Sequence, residues 1–199
     1  EAAPKKEPAP KKGAAPKKEA APKKEAKGGK QAQGTDAAGA ESAPPSAEDL
    51  EKQRKDKLKK VIKEGGKRGV EIEGAADMGG LQFFCTSMDC PEGDLDLLVE
   101  SMKAMNAKSD PSEEERKGGS GHIGKMIFSA GTEQLAVVAY VPEDKQEQLS
   151  CGEWLTAVLK SQGGEVKSTA KDISTGFVKT NSDKGVFPLK IREPMILEA

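Results

Sequence analysis

Residues 125–164 read KMIFSAGTEQLAVVAYVPEDKQEQLSCGEWLTAVLKSQGG, and this stretch decides the fold. KMIFSA (Lys125 to Ala130) and QLAVVAYV (Gln134 to Val141) are short strand-forming runs separated by three residues that include Gly131, the spacing of a hairpin. Pro142 ends the second run because it has no N–H to give to a ladder. Ser150 with Glu153 makes a capping box, after which Cys151, Trp154, Leu155, Val158 and Leu159 recur on one helical stripe. That stripe makes Trp154 a core residue rather than a platform for a base. Gly163 and Gly164 stop the helix.

Working outward, LQFFCTSM (Leu81 to Met88) predicts a buried strand. Its neighbours Phe83 and Phe84 point to opposite faces, so the second face needs its own cover, from a helix or a partner. Asp94 then caps DLDLLVESMKAMNA, whose Leu95, Leu98, Val99, Met102 and Met105 share one face. Toward the C-terminus, short strands are expected at Glu165 to Ser168, Gly176 to Thr180 and Val186 to Ile191, with Pro188 confining the last to an edge. The order β-α-β-β-α-β predicts an α+β fold, a two-layer sandwich of sheet and helices over residues 69–199.

The N-terminal part reads differently. AAPKKE at Ala2 to Glu7 recurs with little drift at Pro8 to Gly13, Ala14 to Glu19 and Ala20 to Glu25. A proline every six residues forbids helix, and nothing larger than alanine is there to bury, so residues 1–46 are expected to form a disordered, extended tail and linker. Ser46 followed by Glu48 and Asp49 opens EDLEKQRKDKLKKVIKE, a basic helix expected over 47–66 and ending at Gly65-Gly66. Its only apolar residues are Leu50, Leu58, Val61 and Ile62, which predicts that one end docks and the rest stays solvated.

Charge divides along the same line. Residues 1–68 hold 19 basic and 11 acidic residues, a balance of +8, while residues 69–199 hold 13 and 22, a balance of −9. The near-neutral total therefore conceals a bipolar chain. No run approaches the roughly 18 apolar residues of a membrane span, and no signal-peptide pattern opens the sequence. Three cysteines, Cys85, Cys90 and Cys151, are odd in number for a secreted disulfide framework and read as reduced, inert thiols. The expectation is a soluble cytoplasmic protein with no membrane partner, a nuclear or flagellar place being the alternatives.

Motifs for chemistry are sparse. GSGHIGKM (Gly119 to Met126) satisfies Gly-x-x-x-x-Gly-Lys, but Met126 stands where a phosphate-binding loop needs Ser or Thr, and a strand follows where a helix should. What survives is a weaker expectation that the glycine-rich backbone and Lys125 meet an anionic group such as a phosphate. His122 is the one histidine, and a zinc site would need it to converge with all three cysteines. Glu113 to Glu115 lack the spacing of a calcium loop and read as an acidic turn. No catalytic residue, metal or cofactor is expected.

The strongest functional signal is cationic. Lys5, Lys6, Lys11, Lys12, Lys17, Lys18, Lys23 and Lys24 form four pairs in the tail. Arg54, Lys55, Lys59 and Lys60 on the basic helix, with Lys125, complete the expected nucleic-acid-binding set. Such a polycation binds phosphates by releasing counterions, without regard to sequence. The carboxylate-rich surface of a microtubule would attract it by the same physics.

The globular part resembles the C-terminal domain of alanyl-tRNA synthetase and the related terminal domain of DHH phosphoesterases. The resemblance covers residues 77–180 and lies in the order of elements and in VPEDKQEQLSCGEWLTAVLKSQGG, with Cys151-Gly152 opening the helix and Gly163-Gly164 closing it. Where that family continues into a glycine-rich Arg-Pro-Asp segment, this chain has Glu165-Val166-Lys167, and no catalytic DHH half is present. The tail is similar in composition to the Ala-Lys-Pro extensions of linker histones and of ribosomal proteins in some protists. The resemblance implies a binding module without synthetase, editing or phosphoesterase activity. Together these readings give a non-enzymatic protein that associates with RNA, on tRNA or the ribosome, while the acidic domain recognises a protein or a local RNA feature. The competing expectation is a cytoskeletal or flagellar structural protein with its tail on an acidic filament.

Overall fold

The structure, a computed structural model, describes residues 47–110, 112 and 116–199. The eight paired lysines, the expected disorder of residues 1–46 and the acidic turn at Glu113 to Glu115 fall outside the described residues. Helix α1 (Ala47–Gly79) leads to strand β1 (Phe83–Ser87) and helix α2 (Leu95–Asn106). A 3₁₀ turn at Ser120–His122 precedes the hairpin of β2 (Gly124–Ala130) and β3 (Gln134–Tyr140). Helix α3 (Cys151–Ser161), strands β4 (Glu165–Thr169) and β5 (Ile173–Lys179), and helix α4 (Pro188–Glu198) complete the chain.

The five strands make one sheet in the order β1-β2-β3-β5-β4. Only β1 and β2 run parallel, and α2 supplies the crossover that a parallel pair requires. The other neighbours are antiparallel. Alternation sorts the side chains to two faces. Met126, Phe128, Leu135, Val137 and Ala139 pack with Trp154, Leu155 and Val158 of α3 and with Ile191 and Met195 of α4. Ile127, Ala136 and Val138 pack with Ile72 of α1 and with Leu98, Met102 and Met105 of α2. Phe83 joins the first cluster and Phe84 the second, so the face opposite Phe83 is covered by the chain's own helices. Trp154 is a core residue, edge-on to Phe83 at 5.8 Å.

The α+β sheet-and-helix class stands, and three details differ from the sequence reading. Helices cover both faces of the sheet rather than one. The segment expected as an edge strand at Val186 to Ile191 instead opens α4, because Pro188 sits at the first helical position, where its missing N–H costs nothing. Most consequentially, α1 does not end at Gly65-Gly66 but runs 33 residues to Gly79.

The extension has a steric cause. Val61, Gly65, Gly69, Ile72 and Ala76 recur every three or four residues and are all buried, forming a seam against α2. A β-carbon on Gly65 would lie 2.7 Å from the Ser101 carbonyl oxygen, and one on Gly69 would lie 2.8 Å from that of Met105. These glycines cost helix propensity of about 1 kcal/mol each but let the two backbones approach closely. They are contact residues, not stop signals. Among the described residues no helix is long and apolar enough to cross a membrane.

Candidate functional site

The basic residues of α1 all fall between Lys52 and Arg68, and its last third carries Glu71, Glu73 and Asp77 instead. Arg54, Lys55, Lys59 and Lys60 are exposed. They stay exposed because the first turns of α1 bring no apolar stripe: Leu50 is itself exposed, and the seam begins only near Leu58 and Val61. The ion pairs here are open to water. Arg54 lies 3.9 Å from Asp96, Lys55 lies 3.8 Å from Glu51, and Lys57 donates to Glu92 at 2.7 Å. Lys57 thereby holds the Glu92 carboxyl below its usual value. Exposed pairs of this kind are weak and yield readily to a competing phosphate.

Lys125 has a different environment, and the expectation that it meets a phosphate is corrected. It shares a face of β2 with Ile127 and is fully buried. Its ammonium donates to Asn106 Oδ1 at 2.5 Å and to the Ser120 carbonyl at 2.7 Å, and it lies over the Tyr140 ring, 4.8 Å from the centroid. Burial pushes its pKa down to about 7. An amine so enclosed, with protein oxygens and a ring around it, is out of reach of an anion arriving from solvent.

What Lys125 does is hold the glycine-rich turn. Three successive carbonyls of that turn each accept from a different side chain: Ser120 from Lys125, Gly121 from the Tyr140 hydroxyl at 2.7 Å, and His122 from Lys145 Nζ at 2.5 Å. Ser120 Oγ adds a bond to the Met105 carbonyl at 2.9 Å. The turn is thus tied to β2, β3, α2 and the segment after β3. It borders a cleft of about 1100 Å³ that Asn106, Lys108, His122, Tyr140, Glu143 and Asp144 help to line.

No family model matches the chain, and no curated protein matches it in sequence. Among solved structures it is similar to the C-Ala domain of alanyl-tRNA synthetase from Aquifex aeolicus. The two share 18% identity with a TM-score of 0.33, over 60% of this chain and 91% of that one. The neighbour is the domain type that the order of elements already resembled, and no residue role passes from it to this chain.

The remaining sequence candidates do not assemble into a catalytic or metal centre. Cys85 and Cys151 belong to the cluster under α3, where desolvation raises the thiol of Cys85 to about 11 and that of Cys151 above its usual value. Cys90 donates to the Glu64 carboxylate on α1. Among the described residues no group of three or more His, Cys, Asp and Glu is placed to hold a metal ion. Asn106 and Tyr140, the partners of Lys125, escaped the sequence reading. One signal for the burial of Lys125 was there: it stands two residues from Ile127, on the same face of a strand bound for the core.

Proposed function

We propose that this is a non-enzymatic RNA-binding protein in which the exposed basic half of α1 and the lysine pairs earlier in the sequence both bind polyanions. The observation that carries the reading is the placement of Arg54, Lys55, Lys59 and Lys60, all exposed on the same helix that continues the lysine-rich segment. Long, flexible ammonium side chains neutralise phosphates without fixing sequence, so affinity is salt-dependent and general. The acidic remainder of the chain contributes little to general phosphate binding and meets a protein partner, with tRNA or ribosomal RNA as the nucleic acid. No step of bond breaking belongs to this reading, and Lys125, the lysine of the glycine-rich motif, is enclosed.

The test is filter binding to structured RNA beside co-sedimentation with microtubules at matched salt, for the full chain and for a chain lacking residues 1–46. RNA retention that weakens at least tenfold on the deletion supports the proposal. Retention only on microtubules replaces it with the filament-binding alternative.

A further inference from the structure

The cleft beside the glycine-rich turn is bordered by groups that their neighbours hold in place. Tyr140 is the only tyrosine in a chain with 4% aromatic residues, and its ring is only half-buried. Its hydroxyl is fixed on the Gly121 carbonyl and Lys125 supports one of its faces, so the ring is held without help from a ligand. Asn106 gives its oxygen to Lys125, which sets the amide orientation and leaves its NH₂ as the free end. The exposed imidazole of His122 adds a further polar group, and the carboxylates of Glu143 and of Asp144, the latter 3.6 Å from Lys145 Nζ, offer acceptors.

This set suits a flat, neutral heterocycle better than a phosphate. Glu73 and Arg116 pair with each other at 2.9 Å and Asp144 lies 3.6 Å from Lys145, which leaves Glu143 to offset Lys108 and no surplus of positive charge to hold an anion. An aromatic ring fixed beforehand stacks a base at low entropic cost, and single-stranded bases are read on their hydrogen-bonding edges. Carboxylate acceptors call for an amine on that edge, and the Asn106 NH₂ calls for an adjacent acceptor. Adenine, cytosine and guanine carry an exocyclic amine beside a ring nitrogen, whereas uracil lacks the amine.

We propose that this cleft captures one unstacked nucleobase bearing an exocyclic amine, in preference to uracil, with Tyr140 as the stacking surface and Asn106 and His122 as edge contacts. The inference rests on the RNA-binding reading and adds a base-selective contact to its sequence-indifferent one. The source of the base, a single-stranded RNA or a free nucleotide, is left to the arms of the experiment.

The experiment is photo-crosslinking of the full chain to short single-stranded RNAs carrying one 5-iodocytidine or one 5-iodouridine, with the modified peptide mapped by mass spectrometry. The expected crosslink is at Tyr140 or His122, stronger for the cytidine probe, and at least tenfold weaker in Tyr140→Leu. His122→Gln, a surface change that leaves the fold intact, is expected to weaken it several-fold and decides the matter if Tyr140→Leu fails to fold. Competition by free cytidine monophosphate but not uridine monophosphate supports the assignment and shows that a free nucleotide suffices. If cytidine monophosphate fails to compete while the cytidine crosslink persists, the base is captured from RNA, which also supports it. Equal crosslinking or equal competition by both bases overturns it. Crosslinks confined to α1 and residues before it overturn the cleft while sparing the RNA-binding reading, whereas no retention of either RNA at low salt removes that reading itself.

Discussion

The two halves of α1 share one backbone and differ in almost everything else. From Glu48 to Lys60 no residue is buried, basic side chains dominate, and their ion pairs stand in water. From Val61 to Gly79 a seam of Val, Gly, Ile and Ala lies against α2 and the sheet, and the charges turn acidic after Arg68. The contrast teaches that one helix joins two roles: the second half is part of the folded body, and the first is a rigid mount for cations. A helix without its own core is marginal in water, so the docked half is what gives the exposed half its order.

The largest effect expected from breaking this arrangement is at the seam. Gly69→Val places branched carbon against the Met105 carbonyl and Gly118 and is expected to cost about 3 kcal/mol by overpacking. Urea unfolding measures it, and a loss under 1 kcal/mol would mean that α1 is not locked to α2.

The next effect concerns the enclosed lysine, which separates buried from exposed cations. Lys125 moves from an ordinary 10.5 to about 7 on folding, so between those values the unfolded chain binds the extra proton and stability rises with pH. From pH 7 to 8.5 the gain is expected to be about 2 kcal/mol, and Lys125→Met is expected to lose this slope. The window stops at 8.5 because the raised thiols of Cys85 and Cys151 act in the opposite direction once unfolded cysteines ionise. Urea midpoints of both proteins at the two pH values make the comparison, and equal slopes would place Lys125 in water.

The smallest effect sharpens the reading of the glycines. Gly74 lies on the same helix, but a β-carbon there would meet nothing within 4 Å. Gly74→Ala is therefore expected to stabilise by about 1 kcal/mol through propensity alone, seen as a higher urea midpoint. Destabilisation would show that Gly74, too, is a contact residue.

Much of this was legible in the residues. The hairpin, the Asp94 and Ser150 caps and the stripes of α2 and α3 rest on local patterns, and the structure has them. Gly65-Gly66 misled because a glycine pair is a local stop signal, while its use here depends on the distance to α2, which no local pattern encodes. Val186 to Ile191 misled because Pro188 suits an edge strand and a first helical turn equally well. Lys125 falls in a phosphate-binding motif, although its place two residues before Ile127 points to the interior. The cleft joins Asn106, His122 and Tyr140 from separate elements, and the spacing between them in sequence carries no trace of it.

The most direct test of the division of labour is the salt dependence of RNA affinity in two charge-matched variants of the full chain. One carries Gln at Arg54, Lys55, Lys59 and Lys60, and the other carries Gln at the exposed body lysines Lys160, Lys171, Lys179 and Lys184. The slope of log K against log salt is expected to become shallower by about 3 in the first and to stay unchanged in the second. Equal changes in the two variants would contradict the account, because they would mean that RNA responds to net charge and not to the exposed half of α1.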